Sequence, residues 1–240
     1  MRYRPPKPSE VTLVRHGDAL EARGVGDAPG QGVRARWWPC DGSTSGSGLA
    51  GDARRRRPGG SSHLRRAIGD CRSVIDATGG FGTDAWTLAC SGLEVTVFER
   101  APIMIELLKD ALALAREHSP AAAARLRLFE GDARTWLTEL PPAEAIYMDP
   151  MFPPKRRASA LPTKDMQFLA AIAGDDGDAL ELLEVARRAA LRRVIVKRPP
   201  HAAPLAPRVA HAIESKLLRF DVYLPAHGER DGSPVDGGRR

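Results

Sequence analysis

The segment Asp149-Pro150-Met151-Phe152-Pro153-Pro154-Lys155 follows directly on the apolar run Ala143-Glu144-Ala145-Ile146-Tyr147-Met148. Such a run predicts a buried strand. An acid, a proline and an aromatic at a strand's C-terminal end suit the holding of a flat base with its exocyclic amine against an acceptor. An aromatic amine such as guanine N2 is a poor nucleophile, because its lone pair is delocalised into the ring. A carboxylate accepting one N–H, here Asp149, and a backbone carbonyl accepting the other, here that of Pro150, favour the change toward tetrahedral geometry that attack requires. This is electrostatic preorganisation aimed at developing charge. Phe152 can stack on the base, as aromatics do on flipped or unpaired bases. The alkylated amine is acidic and can lose its proton to Asp149 or water, so orientation supplies much of the remaining rate. Asp-Pro also occurs as a plain strand-ending turn, and the motif gains force only beside a second signal.

That signal is Asp76-Ala77-Thr78-Gly79-Gly80-Phe81-Gly82-Thr83-Asp84. Glycines permit a tight turn and let a ligand approach the backbone. Glu99 lies roughly 20 residues further on, where an acid accepts hydrogen bonds from a ribose diol. Asp132, in Glu130-Gly131-Asp132-Ala133, falls at the edge where nucleoside-binding sheets meet an adenine amine. Gly80-Phe81-Gly82-Thr83-Asp84-Ala85 also fits the dinucleotide fingerprint, which keeps a nicotinamide dehydrogenase open. Asp84 speaks against it, since a carboxylate in a helix's first turn repels a pyrophosphate bound there. S-adenosylmethionine has no phosphate and carries a sulfonium and an ammonium. A plainer reading remains, in which Asp76 and Asp84 cap turns and the glycines serve packing. Together the two motifs suggest methyl transfer to a nucleobase amine.

The elements that must position these residues are legible from Cys71 onward. Strands are predicted at Ser73–Asp76, Glu94–Glu99, Leu126–Phe129, Ala145–Met148, Arg193–Lys197 and Arg219–Leu224. Helices are predicted at Thr83–Cys90, Pro102–Arg116, Ala133–Glu139, Ala179–Ala190 and Val209–Lys216. Ile105, Leu108, Leu112 and Ala115 give the second helix one apolar face, and Pro102 suits its first turn. Strands alternating with helices imply parallel βαβ units, an α/β, mostly parallel, doubly wound sheet. Ligands then sit beyond the C-terminal strand ends, where all the candidate acids fall. Residues 1–70 form a separate Gly-, Pro- and Arg-rich region, poorly patterned and partly flexible, with a short strand at Val11–Val14, an aromatic pair Trp37-Trp38 and a linker from Gly42 to Gly51. Residues 71–224 form the catalytic domain, and 225–240 a polar, flexible tail.

With 240 residues and 42% hydrophobic content, the chain can build one large core. Only 5% is aromatic, so aliphatic side chains must dominate that core. The net charge of +6 and pI near 9.6 favour a polyanionic partner. Three basic clusters, Arg54-Arg55-Arg56-Arg57, Lys155-Arg156-Arg157 and Lys197-Arg198, are candidates for RNA phosphates. Lys155 and Lys197 follow C-terminal strand ends and should form a basic rim on the catalytic edge. No apolar run is long enough to span a membrane, and no secretory pattern opens the chain. Cys40, Cys71 and Cys90 lack metal-ligand spacing, and their odd number argues against a disulfide framework. Reduced thiols, no metal and a cytoplasmic location are expected.

The segments Asp76–Asp84, Phe98-Glu99-Arg100, Tyr147–Pro153 and Val194–Pro199, in that order, resemble the RsmJ family of bacterial 16S ribosomal RNA guanine-N2 methyltransferases. The resemblance covers roughly Arg54 to Leu224. It implies a Rossmann-like class I methyltransferase fold, S-adenosylmethionine as donor, and N2-methylguanosine in 16S rRNA, free or in the 30S subunit, as product. By matching motif the cofactor contacts would be Thr83, Asp84, Glu99, Arg100, Asp132, Ala133 and Asp149, beside Asp76 and the glycines Gly79, Gly80 and Gly82. The chain departs from the family in keeping only part of the basic and glycine-rich segment before the first strand. It also has Asp132-Ala133 where the family often has serines, and the family's small N-terminal domain is hard to find in residues 1–50. A non-catalytic RNA-binding or ribosome-assembly module on the same scaffold is a further reading. The oligomeric state is open, a monomer being favoured.

Overall fold

A computed structural model describes residues 5–40, 61–151, 163–174 and 177–228. In chain order the elements are β1 (Thr12–His16), β2 (Ala19–Arg23), α1 (Ser61–Ile68), β3 (Ser73–Asp76), α2 (Thr83–Cys90), β4 (Glu94–Glu99), α3 (Pro102–His118), the single turn α4 (Pro120–Ala123), β5 (Leu126–Glu130), α5 (Ala133–Trp136), β6 (Ala145–Met148), α6 (Lys164–Ala173), α7 (Ala179–Ala189), β7 (Arg193–Arg198), β8 (His211–Glu214) and β9 (Arg219–Tyr223).

Among the described residues seven strands form one sheet in the order β5-β4-β3-β6-β7-β9-β8. The pairs from β5 to β7 are parallel. β9 runs antiparallel to β7 and β8. From β3 the chain builds outward through β4 and β5, then crosses back to β6 and builds the other way. The order therefore reverses between β3 and β6, and a crevice for ligands opens at their C-terminal ends.

Successive strand residues face opposite layers. Val74, Val97, Tyr147 and Ile195 pack with α1, α2 and α3. Ile75, Phe98, Ile146 and Val196 pack with α7 and the α5 turn. Burial on both faces explains why these strands read as continuous apolar runs.

Three expectations are corrected. Residues 209–216 were expected to be helical, but 211–214 form β8, paired with β9 in a register that sets Ile213 opposite Phe220. The Ser215 N–H donates to Leu218 O at 2.8 Å and closes the turn. Four residues, only one of them half-buried and the rest exposed, carry too little pattern to separate helix from edge strand; the pairing with β9 decides it. The N-terminal region is also more regular than its composition implies. β1 and β2 form an antiparallel hairpin on α3, where Asp110 accepts the Leu20 N–H at 2.7 Å and pairs with Arg15 at 2.5 Å. Trp37 stacks on Trp86 of α2, centroids 5.2 Å apart and planes within 9°. Thirdly, Cys40 and Cys90 are joined by a disulfide, leaving Cys71 as a buried thiol. Docking of the Trp37-Trp38 segment along α2 brings Cys40 to that helix's last residue, a proximity that spacing cannot reveal.

Candidate active site

β3 ends at Asp76, and the ladder continues for one residue as the Ala77 N–H donates to Tyr147 O at 2.9 Å. The chain then turns over β4, with the Gly79 N–H donating to Phe98 O at 2.8 Å. Gly80 follows with φ +56°, and its N–H donates to Glu99 Oε2 at 2.7 Å. The other Glu99 oxygen accepts the Ala101 N–H at 2.7 Å. One carboxylate thus ties the glycine turn to the start of α3. Gly82 has φ +67°, and a Cβ there would lie 2.6 Å from Trp37 and 2.7 Å from Leu108. The missing side chain at Gly82 serves packing as well as the turn.

Above the β3–β6 switch lies a cavity of two lobes that share Thr78, Gly80, Asp149, Pro150 and Leu169. The first lobe is walled by Phe98, Ala133 and Leu182, with Glu99, Arg100, Asp132, Arg134 and Asp178 among its polar groups. The second holds Asp76, Gly82, Thr83, Asp84, Tyr147 and Lys197. α6 covers both lobes through Leu169 and is tied to the N-terminal region, since Lys164 Nζ donates to Asp27 Oδ1 at 2.7 Å and Gln31 O at 2.6 Å.

Asp149 stands where the lobes meet. Its N–H donates to Thr78 Oγ1 at 2.7 Å, and its Oδ2 accepts from Lys197 Nζ at 2.8 Å. The same ammonium donates to Asp84 Oδ2 at 2.8 Å, which also accepts the Tyr147 hydroxyl at 2.5 Å. Burial works against the Lys197 charge, but Asp149 and Asp84 outweigh it and hold its pKa above the usual lysine value. Burial pushes the Asp76 carboxyl well up against the pull of the Thr78 N–H, and Asp84 and Asp149 push it further. Glu99 is raised by burial too, with the Ala101 and Gly80 N–H groups opposing. Asp132 goes the other way, lowered chiefly by the Arg134 guanidinium. Arg134 and Arg100 both reach Asp178 Oδ2 at the head of α7, at 3.1 and 2.6 Å.

Of the sequence-predicted residues, Asp76, Gly79, Gly80, Gly82, Thr83, Asp84, Asp149 and Pro150 meet in the second lobe. Gly80, Glu99, Arg100, Asp132, Ala133, Asp149 and Pro150 meet in the first. Lys197 and Arg198 were expected on a solvent-facing rim and are not there. Lys197 lies inside the site, because two carboxylates draw its ammonium in. Arg198 is buried and donates to Ala203 O. Phe152, Lys155, Arg156, Arg157 and Arg54, Arg55, Arg56 and Arg57 lie outside the described residues. Sequence reasoning missed Thr78, Tyr147, Arg134, Asp178 and α6. Tyr147 had a signal, because residues two apart on a strand share a face and Asp149 follows at that spacing. Asp178 had none, its pairing being long-range.

The model of the SAM-dependent methyltransferase family matches residues 48–225. A ribosomal RNA small subunit methyltransferase J from Thioalkalivibrio sulfidiphilus is 46% identical over 171 residues, covering 67% of each chain. The chain belongs to the methyltransferase J family. A namesake from Marinobacter nauticus is 40% identical over 228 residues, covering 89% of this chain and 78% of its own. The solved structure of a SAM-dependent methyltransferase from Neisseria gonorrhoeae superposes with a TM-score of 0.69 at 30% identity, covering 96% of this chain and 89% of that one. As a methyltransferase J family member the chain is a Rossmann-like class I enzyme with S-adenosylmethionine as cofactor. The dinucleotide reading of Gly80–Ala85 falls. The residues present fit that cofactor, since the acids around the glycine turn suit a sulfonium and an ammonium, and the first lobe pairs apolar walls with carboxylate acceptors. Among the described residues no helix is long and apolar enough to cross a membrane, and no group of acids, histidines and cysteines is placed to hold a metal.

Proposed function

We propose that this chain transfers a methyl group from S-adenosylmethionine to the exocyclic N2 amine of a guanosine in 16S ribosomal RNA. The observation that carries the reading is Asp149 at the meeting of the two lobes, fixed by Thr78 on one side and Lys197 on the other. The names of the relatives, small subunit rRNA methyltransferases, support the RNA substrate. When bound, S-adenosylmethionine supplies an electrophilic methyl group.

Glu99 is assigned to the ribose hydroxyls. Its carboxylate accepts the Gly80, Ala101 and Arg100 N–H groups and keeps acceptor capacity for a ribose hydroxyl. Asp132 and Ala133 are assigned to the adenine edge, with Arg100 holding the wall in place through Asp178. Asp76, Gly79, Gly80, Gly82, Thr83 and Asp84 surround the methionine end. Asp149 and the Pro150 carbonyl accept the two amine N–H groups of the base, and Phe152 stacks on its face. Attack by the amine then places positive charge on nitrogen beside an anionic acceptor, which lowers the barrier. Asp149 or water takes the proton that the alkylated nitrogen releases. Arg54 to Arg57 and Lys155 to Arg157 are assigned to RNA phosphates, residues 71–224 to the methyltransferase domain, and the cytoplasm to its location, as an rRNA substrate requires.

Tritium transfer from labelled S-adenosylmethionine to 30S subunits lacking the modification, followed by nucleoside analysis, tests the reading. Label is expected in N2-methylguanosine, and Asp149→Ala is expected to cut it by about 100-fold or more, as for loss of one charge-stabilising group. Label in another nucleoside, or full activity in Asp149→Ala, would sink it. Full activity would favour a site elsewhere.

A further inference from the structure

We propose that Lys197 is a positioning residue for this reaction, clamping Asp149 between itself and Thr78 so that the carboxylate stays ionised and turned toward the base amine. The proposal rests on the reading of Asp149 as the amine's acceptor.

β6 and β7 are parallel neighbours with Met148 opposite Val196. One residue further along, Asp149, just past the end of β6, lies beside Lys197, which is still within β7. The Lys197 ammonium lies 2.8 Å from Asp149 Oδ2 and 2.8 Å from Asp84 Oδ2. Only 20% of its side chain is exposed, too little for a lysine that tracks RNA phosphates. An ammonium has three N–H donors, and the two carboxylates engage two of them. Asp149 is thereby fixed at its backbone by Thr78 and at its side chain by Lys197.

The groups facing Asp149 come from several elements: Asp76 from β3, Thr78 from the turn, Asp84 from α2, Tyr147 from β6 and Lys197 from β7. Two of these five are carboxylic acids, Tyr147 is a phenol that burial and the neighbouring acids hold neutral, and Lys197 is a cation set among them. Without it, Asp149 would lose that ion pair while still lying near Asp84 and Asp76. Like charges that share a site push one carboxyl toward its protonated form. A protonated Asp149 would donate a hydrogen bond where the reaction needs an acceptor, and the base would be held wrongly or not at all.

Lys197→Met and Lys197→Arg test this against wild type, with Asp149→Asn as reference. The first readout is the pH profile of methyl transfer to 30S subunits. In Lys197→Met the acid limb is expected to move up by about 1–3 pH units, the effect of one close opposite charge, and Lys197→Arg is expected to restore most of it. The second readout uses cofactor-free protein labelled with carbon-13 at aspartate carboxyls. The signal absent from Asp149→Asn should titrate at higher pH in Lys197→Met than in wild type. S-adenosylhomocysteine affinity, measured by calorimetry, reports separately on Asp84, which shares the Lys197 ammonium. An unmoved acid limb with a lowered plateau, or an unmoved carbon-13 titration, would each overturn the proposal. Failure of wild type to modify 30S subunits would instead refute the substrate assignment, and the carbon-13 titration would still decide whether Lys197 clamps Asp149.

Discussion

Truncating Trp37 to alanine should damage both stability and cofactor binding, although Trp37 lies far from the catalytic motifs in sequence. Its indole is 7% exposed, stacks on Trp86 at 5.2 Å, and donates its N–H to Phe81 O at 2.9 Å. Phe81 lies inside the glycine turn, and the indole lies against the bare Cα of Gly82. Removing a buried Trp costs about 3–5 kcal/mol through lost transfer and a residual cavity. The lost ring pair is worth about 1 kcal/mol of that, and the undonated Phe81 carbonyl about another 1 kcal/mol. The disulfide from Cys40 to Cys90 keeps the segment close and limits its escape, so the expected loss is about 4 kcal/mol. Against a typical stability of about 5–15 kcal/mol this is large but survivable. Urea unfolding of the oxidised protein reads the stability, and calorimetry with S-adenosylhomocysteine reads the turn. Affinity should fall about tenfold, or roughly 1.4 kcal/mol, as the turn loses its floor. Trp37→Phe keeps a ring to stack and should lose about 1–2 kcal/mol. An alanine variant that loses under about 1 kcal/mol, or one that is destabilised with unchanged affinity, would refute the claim that the N-terminal segment supports the cofactor turn.

Gly82→Ala is expected to destabilise by about 2–4 kcal/mol, combining left-handed backbone strain with overpacking against Trp37 and Leu108. In the Trp37→Ala background the added cost should shrink, because part of the clash is gone, and a double-mutant cycle by urea unfolding measures that coupling. Asp76→Asn should leave stability unchanged at low pH and raise it relative to wild type as pH increases. The sign follows from burial: a carboxyl whose folded pKa is raised binds its proton more tightly folded than unfolded, so its contribution is full below the unfolded pKa and is lost as pH climbs through the folded one. Thermal melts of both proteins from pH 4 to 9 should diverge steadily, by about 1 kcal/mol or more at the alkaline end, and parallel curves would count against a raised Asp76.

The strands that carry the site were legible because the physics behind them is local. Ser73–Asp76, Glu94–Glu99 and Ala145–Met148 are apolar runs closed by a glycine or an acid, and the structure places those strands at the same bounds. Asp76, Glu99, Asp132 and Asp149 lie at strand ends, which a doubly wound sheet gathers along one edge. What local pattern cannot carry is partnership. Lys197-Arg198 looks like a solvated basic pair in one dimension, and only the adjacency of β6 and β7 shows that Lys197 meets a carboxylate. Trp37 has no periodic neighbours, and its place beneath the glycine turn depends on contacts with α2 and the turn, far away in sequence. Cys40 and Cys90 lie 50 residues apart, with no spacing rule linking them. β8 failed for the same reason, since an edge strand of four residues is defined by its partner.

Charge balance connects these parts. Asp76, Asp84, Glu99 and Asp149 are among the acids that line the two lobes, and ionised together they would repel one another strongly. The protein handles each differently. Burial favours the protonated form of Asp76. Glu99 is buried too, but the backbone N–H groups of Ala101, Gly80 and Arg100 support its charge. Asp84 shares Lys197 with Asp149 and takes the Tyr147 hydroxyl besides. Asp149 is more open than its partner acid, with 39% of its side chain exposed against 31% for Asp84. In the proposed reaction Asp149 is therefore the carboxylate of this pair that an incoming base would meet first, with the others setting its charge and direction. On this view the acids of the second lobe form one coupled system, in which Lys197 determines how much negative charge is left for the amine.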